Sequence, residues 1–290
     1  MRKLLFILPV LFTLSGCVPK PIDIDVPPAP EKLVVAAQVI PNHIMVIGLT
    51  HSFSALDSGG NQDTLSNSFI NRILVSHAIV TLDHPGGTDT LYQLTPGIYA
   101  SVNVLLSSYG SYTLHAKDPE TGEEIKATTQ LLPQIRFDTI IPSIVLAGND
   151  STVNIHYELT DFPAEENYYV VSYYRKSQDT SAFDIYSYFQ QGSNELNTFD
   201  LVSDADFDQD GKLSRDKQLP GIGINDTIAV TVANITKGYY EFLTAYKRSG
   251  SLFNQLSGEP IDFPTNVEGG YGYFATQFPD VHFYYMSNYH

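Results

Sequence analysis

The sequence predicts a mainly β fold: two β-sandwich domains with one or two short helices. Three observations predict it. Apolar residues recur with period two through most of the chain, clusters of Gly, Pro, Asn and Asp punctuate those runs, and only one segment holds a clear helical period. Alternation is the pattern of a strand with one buried and one solvated face, because successive side chains point to opposite sides. Turn residues at short intervals between such runs point to antiparallel sandwiches.

The first segment, 1–16, is not part of that fold. Arg2 and Lys3 precede an apolar stretch from Leu4 to Leu14, and small residues follow, which is the layout of a secretory signal peptide. At ~1.5 Å per residue the stretch reaches about 17 Å, well short of a hydrocarbon core of roughly 30 Å, so it does not span a membrane. It ends in Leu14-Ser15-Gly16-Cys17, which resembles the lipobox of bacterial lipoproteins. There the leader is cut before the cysteine and the thiol carries lipid, palmitate included. Cys17 is the only cysteine. A lone cysteine in an exported chain otherwise reads as a free thiol or an intermolecular disulfide, and the contiguous leader favours lipid attachment. Several acyl chains on one residue hold firmly where a single chain is marginal. The mature chain has no internal disulfide, so its stability rests on core burial.

Residues 17–31 form a lipidated cysteine and a proline-rich tether. Pro19, Pro21, Pro27, Pro28 and Pro30 favour an extended, semi-rigid spacer. The first β-sandwich is expected over 32–132. Ser101-Val102-Asn103-Val104-Leu105 and Tyr112-Thr113-Leu114-His115-Ala116 alternate there. Asp57-Ser58-Gly59-Gly60, His84-Pro85-Gly86-Gly87, Pro96-Gly97 and Asp118-Pro119-Glu120-Thr121-Gly122 supply turns. Phe69, Ile70, Ile73 and Leu74 fit a helix nearly as well as a strand, so both assignments stay open. A boundary falls near Leu132-Pro133, where one strand-rich block closes and another opens.

The second β-sandwich is expected over 133–290. Pro142 marks the run from Ile135 to Ile144 as an edge or connector, since proline cannot donate to a central ladder. Gly148-Asn149-Asp150 turns the chain into 152–159, where Val153, Ile155, Tyr157 and Leu159 alternate with polar residues. Ile228 to Ile235 repeats the pattern. Tyr239, Phe242, Leu243 and Tyr246 fall at i, i+3, i+4 and i+7, which predicts an amphipathic helix near 237–248.

The charge balance restricts the partners. Thirty-two acidic residues against 16 basic ones give a formal charge of −16, and losing Arg2 and Lys3 with the leader makes it more negative. Such a surface repels nucleic acid and anionic lipid. No nucleic-acid partner is expected.

Several short motifs, taken together, resemble an uncharacterised family of Bacteroidota outer-membrane lipoproteins, known as a domain of unknown function. They are the Cys17 lipobox, Lys32-Leu33-Val34-Val35, Ala78-Ile79-Val80-Thr81-Leu82, Pro96-Gly97-Ile98-Tyr99, Tyr112-Thr113-Leu114, and Ser203-Asp204 with Phe207-Asp208. A glycine-rich signature, Asn266-Val267-Glu268-Gly269-Gly270-Tyr271-Gly272-Tyr273-Phe274, closes the set. The resemblance implies an immunoglobulin-like domain followed by a fibronectin-like one, anchored at the bacterial outer membrane. It also implies an accessory role beside TonB-dependent receptors. No catalytic residues come with it. The chain departs from the pattern in a longer acidic loop after Ser203 and in its proline-rich tether.

That loop, Asp206-Phe207-Asp208-Gln209-Asp210-Gly211-Lys212-Leu213-Ser214, is the sharpest local motif. Oxygens at positions one, three and five with a glycine at six resemble a calcium loop, so Asp206, Asp208 and Asp210 are candidate metal ligands. Position twelve is Lys217, where a bidentate Glu belongs, and Asp216 falls one residue short. The alternative is an acidic surface turn. Tyr168, Tyr169, Tyr173 and Tyr174 could form a stacking platform, but tyrosines more commonly fill sandwich cores and sheet faces. Glycines 269, 270 and 272 fit a bulge or tight corner better than a phosphate cradle, as no helix start follows them.

Little points to an enzyme. The histidines form no His-x-His or His-x-x-x-His pair, and no Gly-x-Ser-x-Gly elbow or phosphate loop occurs. His115 and His156 fall on the polar faces of predicted strands. The expectation is a membrane-anchored, non-catalytic accessory lipoprotein of the cell envelope, with no cofactor beyond the candidate calcium. It would bind a ligand or dock on an outer-membrane transporter, with the contact in the second domain. On this division, removing 134–290 leaves 32–132 folded. The alternative is a structural or adhesive surface lipoprotein.

Overall fold

The computed structural model describes residues 30–39, 45–53, 67–101, 109–147, 150–163, 165–176, 197–249 and 263–289. The expected signal peptide, Cys17 and nearly all of the expected proline-rich tether lie outside the described residues. So do the run after Ser101 and the turns at 57–60 and 148–149.

The fold is mainly β, as the alternation requires. Strands β1 (Leu33–Val39) and β2 (Met45–His51) are followed by helix α1 (Asn67–Ile73), which settles the ambiguous stretch as helix. Strands β3 (Ile79–His84), β4 (Gly87–Thr95), β5 (Ile98–Ser101), β6 (Gly110–Lys117) and β7 (Glu124–Leu131) complete the first run. After the connector come β8 (Thr139–Ala147), β9 (Asp150–Thr160), β10 (Tyr168–Lys176), β11 (Asn197–Ser203), β12 (Lys212–Pro220) and β13 (Thr227–Ile235). Helix α2 (Lys237–Ser249) precedes β14 (Val267–Glu268), β15 (Tyr271–Tyr273) and β16 (Asp280–Tyr285).

The later strands form two facing sheets, ordered β11-β10-β13-β16 and β12-β9-β8. All their pairings are antiparallel. Val153, Ile155, Tyr157 and Leu159 of β9 point inward and are fully buried against Tyr169, Val171 and Tyr173 of β10 and Ile228, Val230 and Val232 of β13. Pro142 sits on β8, an edge strand, the place in a sheet where proline is tolerated. The opposite face of the four-stranded sheet carries Tyr168, Val170, Ala233 and Ile235. The apolar stripe of α2 (Tyr239, Phe242, Leu243, Tyr246) turns toward that face: the first three pack in one cluster with it, and Tyr246 stacks on Phe199 of β11.

The earlier strands form a nine-stranded sheet ordered β14-β7-β6-β3-β4-β5-β2-β1-β15. Its two end strands are consecutive in the chain, separated only by Gly269-Gly270, and they come from the C-terminal region. Strand β14 runs antiparallel to β7, and β15 parallel to β1. Residues 267–273 thus lie across both open edges of the sheet as a strap, and Val267 and Phe274 enter its core beside Leu33, Tyr99 and Ile125. Here the structure corrects the contiguous division at 132/133, which placed these residues with the second block. It also corrects the expectation that 32–132 is a complete unit, because a cut there removes two strands from the sheet.

The glycine-rich sequence follows from that path. Gly272 has φ +94° and lies so close to Val35 that a Cβ would collide with its carbonyl oxygen. At Gly269, with φ +84°, a Cβ would come within 2.6 Å of the Glu124 carbonyl oxygen. Only glycine combines this backbone sign with such an approach. Asn266 clasps the strap: its Nδ2 donates to the carbonyls of Thr128 (3.0 Å) and Phe274 (2.7 Å), and its Oδ1 accepts from the Phe274 N–H (2.9 Å).

Candidate functional site

The acidic loop closes on itself. The Asp208 carboxylate accepts the N–H groups of Asp210 (2.9 Å) and Lys212 (2.8 Å), and Gly211 takes φ +70° to complete the turn. Asp206 accepts from Ser203 N–H (2.8 Å) and from Arg215 (2.5 Å). Lys217 pairs with Asp200 at 2.8 Å, Asp216 with His156 at 3.0 Å, and Asp204 accepts the Asn167 N–H at 2.7 Å. Asp206, Asp208 and Asp210 therefore do not converge as the calcium spacing suggested. Among the described residues no group of three or more His, Cys, Asp or Glu side chains is placed to hold a metal ion. The same Asp spacing serves an Asx turn, in which the carboxylates cap backbone donors.

The tyrosine cluster divides between two faces. Tyr169 and Tyr173 are fully buried in the sandwich core, and Tyr168 lies under α2 with its ring 4.7 Å from that of Tyr240. Tyr169 donates to Asp161 at 2.5 Å and Tyr173 to Asp200 at 3.2 Å. Burial is the main cause that pushes both hydroxyls well above the ordinary tyrosine range. These side chains fill space and anchor carboxylates, so they offer no stacking platform. His115 and His156 sit half-exposed beside Asp83 (3.2 Å) and Asp216, as polar strand faces require.

What the fold does assemble is a cleft of about 490 Å³ where the connector meets the second block. Three separate segments line it. Gln130, Leu132 and Pro133 come from the end of β7, Phe162 and Glu165–Tyr168 from the loop before β10, and Asn234–Lys237 from the end of β13 into α2. Its size lies within the range of small-molecule sites. Asn167 shapes the middle segment by donating from Nδ2 to the carbonyls of Phe162 (3.1 Å) and Glu165 (2.8 Å). At the rim Lys237 lies 3.4 Å from Glu166 and 5.8 Å from the Tyr168 ring centroid. The Tyr168 hydroxyl, and after it Lys237, hold the Glu166 carboxyl below its usual range. Glu165 stands exposed beside them and makes no ion pair among the described residues.

Asn234 is the unusual member. On β13 the even positions Ile228, Val230 and Val232 face the core, and Asn234 continues that row where an apolar residue is expected. It is 4% exposed, and its Oδ1 is buried with no hydrogen-bond partner. A buried acceptor left unsatisfied costs about 1–3 kcal/mol. Sequence reasoning missed this site. Its available signals were an amide in an apolar alternation and the pair Glu165-Glu166 ahead of the tyrosines.

Comparison with known proteins adds the lineage. No curated protein matches the chain. Among solved structures, a DUF3823 family protein from Bacteroides ovatus ATCC 8483 is similar at 16% identity, covering 56% of this chain and 81% of that one, with a TM-score of 0.20. A family model, the domain of unknown function DUF4249, matches residues 19–278, from the proline-rich segment to beyond the glycine-rich strap, and the chain belongs to that family.

Proposed function

We propose that this protein is a membrane-anchored, non-catalytic accessory lipoprotein of the bacterial outer membrane that binds a ligand or docks on a transporter there. The observation that carries the binding role is the cleft, a ligand-sized space floored by an unsatisfied buried amide. The anchor rests on Leu14-Ser15-Gly16-Cys17 behind a basic and apolar leader. Among the described residues no helix is long and apolar enough to cross a membrane, and the Cys17 lipid would supply the tether. The resemblance to Bacteroidota lipoproteins supports a TonB-dependent receptor as partner. A structural or adhesive role is the second reading, and the outward-facing Ile79, Tyr92 and Leu94 favour it.

The test is a pull-down from detergent-solubilised membranes with wild-type and Cys17→Ala chains. Wild type should fractionate with the membrane, incorporate labelled fatty acid and co-purify with a β-barrel. Cys17→Ala should lose label and membrane association. Unchanged labelling removes the anchor from the proposal, and absence of any barrel with wild type removes the accessory role and leaves adhesion.

A further inference from the structure

We propose that the cleft takes an amphipathic cation: a primary ammonium or guanidinium on a short apolar stem. This rests on the reading of the protein as a binding module and supplies its ligand chemistry. The lining is rich in acceptors. Two carboxylates, Glu165 and Glu166, face a single cation, Lys237, which is already engaged by Glu166. Glu165 makes no ion pair among the described residues, and in a protein of charge −16 it cannot draw an anion.

Asn234 is an independent indication. Its Oδ1 is buried, lacks a partner and belongs to a residue lining the cleft, so the group that would satisfy it is a donor. An ammonium or guanidinium provides several N–H donors and no acceptor, which matches one carboxylate and one amide oxygen together. Between these polar groups the walls are Leu132, Pro133, Phe162 and Ile235. They suit methylene groups, which lysine and arginine bury along apolar surface while the charged head finds its partner.

Such a head could belong to a free alkyl amine or to a basic side chain of an extended peptide, and two probes separate these sources. Butylguanidinium and the capped tripeptide Ala-Arg-Ala are titrated calorimetrically into the mature chain, with butyrate as the anionic control. Saturable binding of at least one cation and none of butyrate is expected. Tighter binding of the tripeptide assigns a peptide source, and equal or weaker binding assigns a free amine. Glu165→Gln, on an exposed loop, should weaken the cation about fivefold and flatten its salt dependence. Asn234→Leu should abolish binding while preserving the melting temperature. If Asn234→Leu fails to fold, Glu165→Gln decides alone.

No saturable cation binding up to ~1 mM, that is, nothing tighter than about −4.1 kcal/mol, overturns the proposal, as does a Glu165→Gln chain that binds like wild type. Cation binding without a co-purifying barrel would leave this inference standing and remove transporter docking. A barrel that co-purifies without cation binding does the reverse.

Discussion

Residues 30–132 expressed alone should not fold stably, and the reason is the strap. In the full chain Val267 and Phe274 are 7% and 0% exposed within the first core. Burying each such side chain contributes about 1.5–3 kcal/mol, so the fragment loses roughly 3–6 kcal/mol from these two alone. The Asn266 hydrogen bond to the Thr128 carbonyl, the one of its three that reaches the fragment, contributes about 0.5–1.5 kcal/mol more. Against a typical domain stability of about 5–15 kcal/mol, the sum is a large share of the margin. The fragment also exposes the edges of β1 and β7, whose unpaired backbone groups invite intermolecular pairing. Urea unfolding followed by far-UV circular dichroism should give the fragment a broad or absent transition and concentration-dependent aggregation. Fusing 263–278 to the fragment through a flexible linker should restore a cooperative transition, and Gly272→Val in that fusion should remove it again. A bare fragment that unfolds cooperatively at the same urea midpoint as the fusion would refute the strap as a structural member of the sheet.

Two further outcomes follow from the side-chain geometry. Calcium at millimolar concentration should leave the melting temperature unchanged, because the Asp208 carboxylate already caps two backbone donors; Asp208→Ala should cost about 1–2 kcal/mol with or without calcium, and a calcium-dependent rise would restore the metal reading. Burial, above all, raises the Glu123 pKa, with Asp118 and Glu31 adding to it and His51 and Lys32 opposing. A carboxyl whose folded pKa exceeds its unfolded value stabilises the fold fully below the unfolded pKa and loses that contribution as pH rises through the folded one. Glu123→Gln should therefore flatten the fall in stability above about pH 4.3, and an unchanged pH profile would exclude Glu123 as its source.

What was legible in the sequence was local. Val153, Ile155, Tyr157 and Leu159 announce β9 because a two-residue period leaves one way to bury them all. The stripe from Tyr239 to Tyr246 announces α2 for the same reason at 3.6 residues, and Pro142 announces an edge. The acidic loop shows the limit of spacing: three alternating aspartates suit a metal or an Asx turn, and only the direction of the carboxylates distinguishes them. The strap was illegible because strands of two and three residues carry no period, and its partners lie more than a hundred residues upstream. The glycines did signal a close approach, without saying to what. The cleft was illegible because its lining comes from three distant segments, and Asn234 looks unremarkable until its neighbours on the strand prove to be core.

The strap also gives the cleft a physical link to the N-terminal part of the sheet. Strand β15 pairs with β1, the strand that directly follows the proline-rich segment, in the register Val34 to Tyr271, Val35 to Gly272 and Ala36 to Tyr273. Tyr273 then turns into the cluster beneath α2, 5.4 Å from the ring of Tyr239 and 5.1 Å from that of Phe242. Its hydroxyl fills the space a side chain at Gly238 would need and lies beside Thr236. Thr236 and Lys237 are walls of the cleft. One tyrosine therefore stands between the first strand of the chain and the helix start that shapes the candidate site. The two blocks are joined by the connector, where Gln134 donates to the Pro279 carbonyl and the Phe137 N–H to Asp280, and again by this packed strand. A double joint of this kind resists hinge motion far better than a single linker does. The cleft at the junction is consequently a preorganised feature of the molecule, with walls held by both blocks, and preorganisation is what lets a small polar site bind without first ordering its own lining.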